Sequence, residues 1–388
     1  MSRLDELIAE LCPDGVEYKP LSEIATITRG GSLQKKDFTE SGVPCIHYGQ
    51  IYTKYGLFTD KTFTFVSEAT ALRQKKAVTG DVVMAVTSEN IEDVCKCVVW
   101  LGEEAVAVSG HTAIIHHNQD AKYLAYYFHS SMFFAQKAKL AHGTKVIEVT
   151  PDKLNGVIVP VPPLEVQREI VRVLDNFTFL SAELSAELSA RRKQYEYYRN
   201  QLLTFKTDVK VVPLESIADI GTGSSNTNEG LEAGAYPFFV RSQEPLRKNE
   251  YEFDETAIIT AGDGVGVGKV FHYVEGKYAL HQRAYRIHIK SSDVLPRYYF
   301  HYMRSAFLPY IQKTMFQGSV ASIRRPMLNA FPVPVPPISV QERLINVLDN
   351  FEAICSDLNI GLPAEIDARQ KQYEYYRDKL LTFKEKVS

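Results

Sequence analysis

Two blocks of this chain occur twice, and the duplication constrains the fold more than any other feature of the sequence. Residues 159 to 177 read VPVPPLEVQREIVRVLDNF and residues 333 to 351 read VPVPPISVQERLINVLDNF, an offset of 174. A second block, KQYEYYR followed after two residues by LLTFK, stands at 193 to 206 and again at 371 to 384, an offset of 178. The starts of the halves match more weakly: Pro20-Leu21, Ile24-Ala25, Ile27 and Gly30 correspond to Pro213-Leu214, Ile217-Ala218, Ile220 and Gly223. Between these landmarks the halves diverge. A fixed period of self-similarity sets the architecture before any element is assigned. Here it implies a tandem duplication in which the repeated blocks share one task and the dissimilar segments have two different ones.

Past Pro162-Pro163, apolar residues recur at Val166, Ile170, Val173, Phe177, Leu180, Leu184, Leu188, Tyr195, Tyr198, Leu202 and Phe205, in steps of three, four or seven. This predicts one helix over 164 to 206, roughly 60 Å at 1.5 Å per residue. A helix of that length needs a partner, and the second copy, 338 to 384, supplies it. Gly361-Leu362-Pro363 should break that copy, with Pro363 near the start of a renewed helix. Since a globular segment lies between the copies, the two helices should pair antiparallel. The pairing residues expected are Leu174, Phe177, Leu184, Leu188, Tyr195 and Tyr198 on the first, and Leu348, Phe351, Tyr373 and Tyr376 on the second. Tyr197 falls on another face, open to a partner protein. The globular segments hold strand-like runs at 81–86, 257–260 and 285–289, with one aromatic-rich helix each, near 121–140 and 296–315. The fold class is therefore α/β (α+β): two mixed α/β domains separated by two long antiparallel paired helices, a pseudo-two-fold tandem duplication. The boundaries are 1–163 and 208–337 for the globular domains, 164–207 for the first helix and 338–388 for the second.

The 388 residues are 45% hydrophobic and 23% charged, the balance of a soluble globular protein, and no run approaches the ~20 apolar residues of a membrane span. The start, Met1 to Leu7, carries acids and no apolar signal core, and the five cysteines are odd in number and scattered. A reducing cytoplasm is the expectation. Cys95-Lys96-Cys97 reads as alternating strand residues, because a lone one-residue spacing is a poor metal signal. A net charge of −3 and a pI near 6.4 exclude a wholly basic surface. Nucleic-acid reading would then rest on local basic patches, with a partner contributing part of the phosphate neutralisation.

No catalytic constellation emerges. The run Gly262-Asp263-Gly264-Val265-Gly266-Val267-Gly268-Lys269 lacks the Ser or Thr after lysine that a P-loop requires, Val270 standing there, and reads as a glycine-rich hairpin. His116-His117 and His281 have neither a second cluster at metal spacing nor an evident carboxylate partner in sequence. No catalytic residue and no metal ligand is expected. Basic and amide-bearing clusters do occur in the globular segments, at Arg29 to Lys36, Arg73 to Lys76, Lys137 to Lys145, Arg241 to Gln243, Arg283 and Arg324-Arg325. Such side chains read guanine and adenine edges and hold phosphates.

The duplicated VPVPP-x3-Q-x5-VLDNF and KQYEYYR-x2-LLTFK blocks, with two variable segments, resemble the specificity subunit of type I restriction-modification systems over nearly the whole chain. The resemblance implies a non-catalytic protein whose variable segments are target recognition domains for the two halves of a bipartite double-stranded DNA target. It implies that the repeated helices space these domains and dock two methyltransferase subunits, which carry S-adenosylmethionine and flip the target adenine, and that restriction subunits using ATP and Mg²⁺ complete the complex. Ser181-Ala182-Glu183-Leu184 followed by Ser185-Ala186-Glu187-Leu188 resembles the four-residue repeat of the subfamily called type IC, which sets the gap between half-targets. Four residues add about 6 Å of helix, one or two base-pair steps.

The resemblance supplies no base-contacting residues, so the candidates come from side-chain chemistry. In the first domain they are Lys35, Lys36, Tyr48, Gln50, Ser88, Asn90, His111 and Lys145. In the second they are Asn226, Arg241, Gln243, Asp263, His281, Gln282, Arg283, Ser322 and Arg324. At the 193 offset Tyr48 pairs with Arg241 and Gln50 with Gln243, while His111 aligns with Arg283 if Val108 matches Leu280. Two other readings stand beside this one: a coiled-coil scaffold for proteins, and a divalent-metal nuclease using Asp81, Glu89 or Asp263.

Overall fold

The computed structural model describes residues 2–205, 209–314, 322–357 and 359–386; the expected boundary at 207/208 lies outside them. The chain forms two compact units. One comprises Met1–Glu183 with Ile366–Ser388, the other Leu184–Glu365. Each therefore joins a globular segment to stretches of both helical blocks, and the first unit changes to the second inside the doubled Ser-Ala-Glu-Leu.

The first unit holds a five-stranded sheet in the order Ala25–Arg29, Thr112–His117, Val82–Ala85, Cys97–Trp100, Phe58–Thr59. The second holds a six-stranded sheet in the order Ala218–Thr222, Ala284–Ile289, Phe253–Ala261, Phe271–Leu280, Tyr236–Phe239, Leu246–Lys248. Their central strands are apolar at consecutive positions because both faces are covered. Val82 and Met84 enter the core beneath the helices, while Val83 and Ala85 enter a second core on the opposite face. Ile258 faces the helical core of the second unit, with Ala257 and Ile259 facing away.

Registers confirm the internal alignment. Ile27 pairs with Ile115 and Ile220 with Ile287. Ile46 lies parallel to Val108, and Phe239 parallel to Leu280. The condition that Val108 match Leu280 is met, and His111 is the counterpart of Arg283.

The duplicated VPVPP block is an edge strand, where proline's missing N–H costs no ladder bond. Ile158–Val161 pairs with Glu17–Pro20, and Pro332–Val335 with Lys210–Pro213. Buried tyrosines bond the outer carbonyls: Tyr123 and Tyr127 donate to Pro160 and Ile158, Tyr298 and Tyr302 to Pro334 and Pro332. The following glutamine is fully buried in both copies. Gln167 donates to the carbonyl of Pro162 and accepts from the Asp120 N–H; Gln341 donates to Pro336 and accepts from Leu295. The aspartate of VLDNF then fixes the helix to the aromatic helix of its domain. Asp175 accepts from Tyr126 and Lys122, each at 2.7 Å, and Asp349 from Arg297 at 2.9 Å and His301 at 2.7 Å.

The first long helix runs Leu164–Leu202 without interruption. The second is Ile338–Ser356 and Leu362–Leu380, broken where the glycine and proline stand. Phe177 stacks on Tyr376 at 5.5 Å inside the first unit, and Tyr198 meets Phe351 at 6.2 Å inside the second. As the first helix advances, its partner's numbers fall, the antiparallel sense. Other expected pairing residues turn into the domain cores: Leu174 and Tyr373 into the first, Tyr195, Leu188 and Leu348 into the second, while Leu184 stays half-buried. A helix beside a globular domain has two neighbours to satisfy, and the apolar periodicity does not separate them.

Two expectations are corrected. The aromatic helix near 121–140 is two helices, Ala121–Phe128 and Ser131–Leu140, because Ser130 takes an extended conformation and caps the Phe133 N–H. Cys95 is not a strand residue but occupies a left-handed turn (φ 68°) ahead of the strand that begins at Cys97. Among the described residues no helix is long and apolar enough to cross a membrane.

Candidate nucleic-acid interface

In each unit the candidate residues gather on loops at one end of the main sheet. Scaffold strands end in loops free to vary, the usual placement of binding residues. In the first unit the strand Val43–Ile46 leads into a short helix, Tyr48–Thr53, and Val106–Val108 leads into Ser109-Gly110-His111. The Tyr48 N–H donates to Ser109 Oγ at 2.9 Å, and its ring lies 4.9 Å from that of the exposed His111. Tyr48, Ser88, Asn90 and Val146 line one cavity of 430 Å³. Lys145 is exposed beside Val146, and Lys35 and Lys36 are exposed on a 3-10 turn. His47, buried under this rim, is depressed in pKa by burial and then by Lys35 and His111.

Two candidates here are engaged within the protein. Gln50 Oε1 accepts from the His47 N–H and the Thr64 hydroxyl. Asn90 bonds Asp93 through both side-chain atoms. Bidentate reading of adenine requires amide oxygen and nitrogen together, and here the oxygens of both amides are taken up by turn contacts. Lys137, inside one of the basic runs, is likewise buried and donates to the carbonyls of Glu92 and Val94.

The second unit places different side chains on the same scaffold. Arg241 and Arg283, the counterparts of Tyr48 and His111, converge on Asp263. Arg241 Nη1 is 2.7 Å from Asp263 Oδ1 and Arg283 Nη1 is 3.1 Å from Oδ2. Burial works to raise the Asp263 pKa, but Arg241 and then Arg283 hold it below the usual carboxylate range. Asp263 belongs to the glycine-rich hairpin joining Phe253–Ala261 to Phe271–Leu280, and the glycines have a local reason. A Cβ on Gly262 would meet the Arg283 carbonyl at 2.7 Å, and one on Gly266 the Arg241 carbonyl at 2.6 Å. The hairpin lies directly on the two arginine backbones, as only glycine permits.

Around this cluster, Asn226 and Gln282 bond each other through their side chains, Gln243 and Arg324 are exposed, and Ser322 is bridged to Asp263. His281 is buried, its Nδ1 accepts the Arg283 N–H at 2.9 Å, and burial lowers its pKa. Val265 is 95% exposed at the hairpin tip, a position the sequence did not single out. A β-branched residue flanked by two glycines was the available signal.

Among the described residues, the group of side chains placed to hold a metal includes none of Asp81, Glu89 and Asp263. Asp81 has a carboxylate–imidazole contact with His116 at 2.7 Å that the sequence did not disclose. It stands just before the strand Val82–Ala85, and Ser88 and Glu89 lie beyond that strand's other end. Asp263 is neutralised by two guanidinium groups. Among the described residues, one group could geometrically hold a metal: His301, Asp349 and Glu352. Its carboxylates are held by Arg297 and Arg304, and it belongs to the helix anchor.

Comparison with known proteins places this architecture. A family model described as type I restriction modification DNA specificity domain matches residues 13–191 and again 206–368. The EcoR124I/EcoR124II specificity subunit of Escherichia coli is 36% identical over 251 residues, which are 58% of this chain and 61% of that protein. The chain thus matches less than two thirds of that relative's length. A putative type I restriction enzyme specificity subunit of Haemophilus influenzae is 28% identical over 267 residues, 62% of this chain and 68% of that one. A solved chain from work on complex assembly and conformational transition of the type I R-M system shares the fold, with a TM-score of 0.65 at 16% identity over 95% of this chain and 97% of that one. With both copies of the domain present, the chain belongs to the family of type I restriction modification DNA specificity domains.

Proposed function

We propose that this chain is the DNA specificity subunit of a type I restriction-modification complex, each globular domain reading one half of a bipartite target. One observation carries the reading: the two units share strand registers and helix anchors but differ in chemistry at equivalent loop positions, Tyr48 and His111 in one, Arg241 and Arg283 in the other. Equal scaffolds with unequal tips suit two different half-targets.

In this reading the subunit is non-catalytic and works in the cytoplasm. Two methyltransferase subunits dock along its helices, bind S-adenosylmethionine and flip the adenine, and restriction subunits bring ATP and Mg²⁺. The aromatic block supports docking, since Tyr197 and its copy Tyr375 are 60% and 62% exposed. The paired helices set the spacing between half-targets.

The test is adenine-methylation mapping in a methylation-free host carrying this chain with its methyltransferase subunit, against the methyltransferase subunit alone. A bipartite motif that requires this chain is the expected result. No motif from an intact, soluble complex would overturn the reading.

A further inference from the structure

We infer that the domain formed by residues 209–337 reads a guanine through Arg283, held in its reading orientation by Asp263 and Arg241. The inference rests on the function proposed above and adds the base class. Three arginine- and carboxylate-bearing loops, distant in sequence, meet at one point, and the meeting is built into the backbone. The Gly262 N–H donates to the Arg283 carbonyl at 2.9 Å. The Gly266 position fits over the Arg241 carbonyl with no room for a Cβ. Asp263 lies between these contacts, so the carboxylate is delivered to both guanidinium groups by the hairpin.

Geometry separates the roles. A guanidinium has five N–H donors in a rigid plane. The Arg283 side chain is 62% exposed and gives Nη1 to Asp263, leaving its other donors for a ligand. Arg241 is 40% exposed and bound more closely, at 2.7 Å. It balances the carboxylate and leaves Arg283 the outward position. A carboxylate bonded to Nη1 restricts where the fork points, and a fork so held can meet the paired acceptors O6 and N7 of guanine; a phosphate can take the same fork bidentately. The counterpart in the first unit, Tyr48 against His111, has no guanidinium. The guanidinium-based reading at this loop position therefore belongs to the second domain.

The source of the acceptor, base edge or phosphate, is decided by the pattern of loss. Methylation motifs are mapped for the complex containing the natural chain, Arg283→Gln and Asp263→Asn. The natural chain should give a half-target with a G·C pair that Arg283→Gln renders degenerate at that one position, discrimination falling roughly 10- to 100-fold, while the other half-target stays unchanged. Asp263→Asn should relax the same position, a readout that loss of fold would not give. If Arg283→Gln yields no methylation, Arg283→Lys keeps the charge and loses the fork, and degeneracy at the same position is again expected. An unchanged motif with uniformly weaker, less salt-dependent methylation would assign Arg283 to phosphate and overturn the inference, as would a half-target without any G·C pair. A natural chain that directs no bipartite motif would instead defeat the proposed function.

Discussion

Gln341 illustrates how much one side chain can hold. Truncation of this fully buried side chain by Gln341→Ala strips the Leu295 N–H and the carbonyls of Pro336 and Asp293 of a partner, the Pro336 bond being the buried one. Leaving such groups unpaired costs about 1–3 kcal/mol, to be read from urea unfolding. A loss in the second unit's transition is expected, and Gln167→Ala should act likewise on the first. His129 carries a pH dependence. Burial, against the hydrogen bond to the Ala125 carbonyl, lowers its pKa to about 4. Below about pH 6.5 the unfolded chain takes up a proton that the folded chain refuses, so stability falls as pH drops from 6.5 toward 4 and is indifferent to this group above 6.5. The difference between the melting temperatures of the natural chain and His129→Gln should change with pH only in that acid window. At this scale the sequence was partly legible. Arg241 and Arg283, chosen on side-chain chemistry, stand together at Asp263. The internal contacts of Gln50, Asn90 and His281 were not legible, because an amide or imidazole that caps its own turn has the same composition as one that reads a base.

Among the elements, the proline-rich strand, the glutamine and the VLDNF aspartate were visible as repeats, and their physical reason emerged only with the tyrosines and cations that meet them. Helix existence and the break near 361–363 followed from periodicity, glycine and proline. The split at His129-Ser130 did not, since a serine cap inside an aromatic run leaves the 3.6-residue pattern nearly intact. The spacer prediction belongs here. Deleting 185–188 removes about 6 Å of helix, and the mapped gap between half-targets should shorten by one or two base pairs; an unchanged gap would refute the ruler. Docking is tested on the same helices. Tyr197→Ala with Tyr375→Ala should weaken methyltransferase association about tenfold or more, a typical loss for tyrosine anchors, with the thermal transition unmoved because both rings are mostly in solvent.

Across the whole molecule, the sequence disclosed two domains and two helices but not how the chain allots them to its units. The first unit is sealed by residues far along the chain. Leu381 is fully buried in its core, the Val16 N–H donates to the Lys384 carbonyl at 2.8 Å, and Lys386 donates back to Val16 at 3.0 Å. Leu203 has the corresponding place in the second unit. Leu381→Ala should cost the first unit about 2–5 kcal/mol, seen as faster amide exchange over 16–20 and 121–128 with 296–314 unaffected. The arrangement also orders events during synthesis. At ribosomal rates of about 5–20 residues per second, the unit whose sheet is made first waits on the order of 10 s or more for its closing segment, while the second unit receives its own closing residues before its sheet is translated. The domain encoded first is thus the one finished last, and a message cut short anywhere before residue 366 yields a chain whose leading domain is left open to proteases.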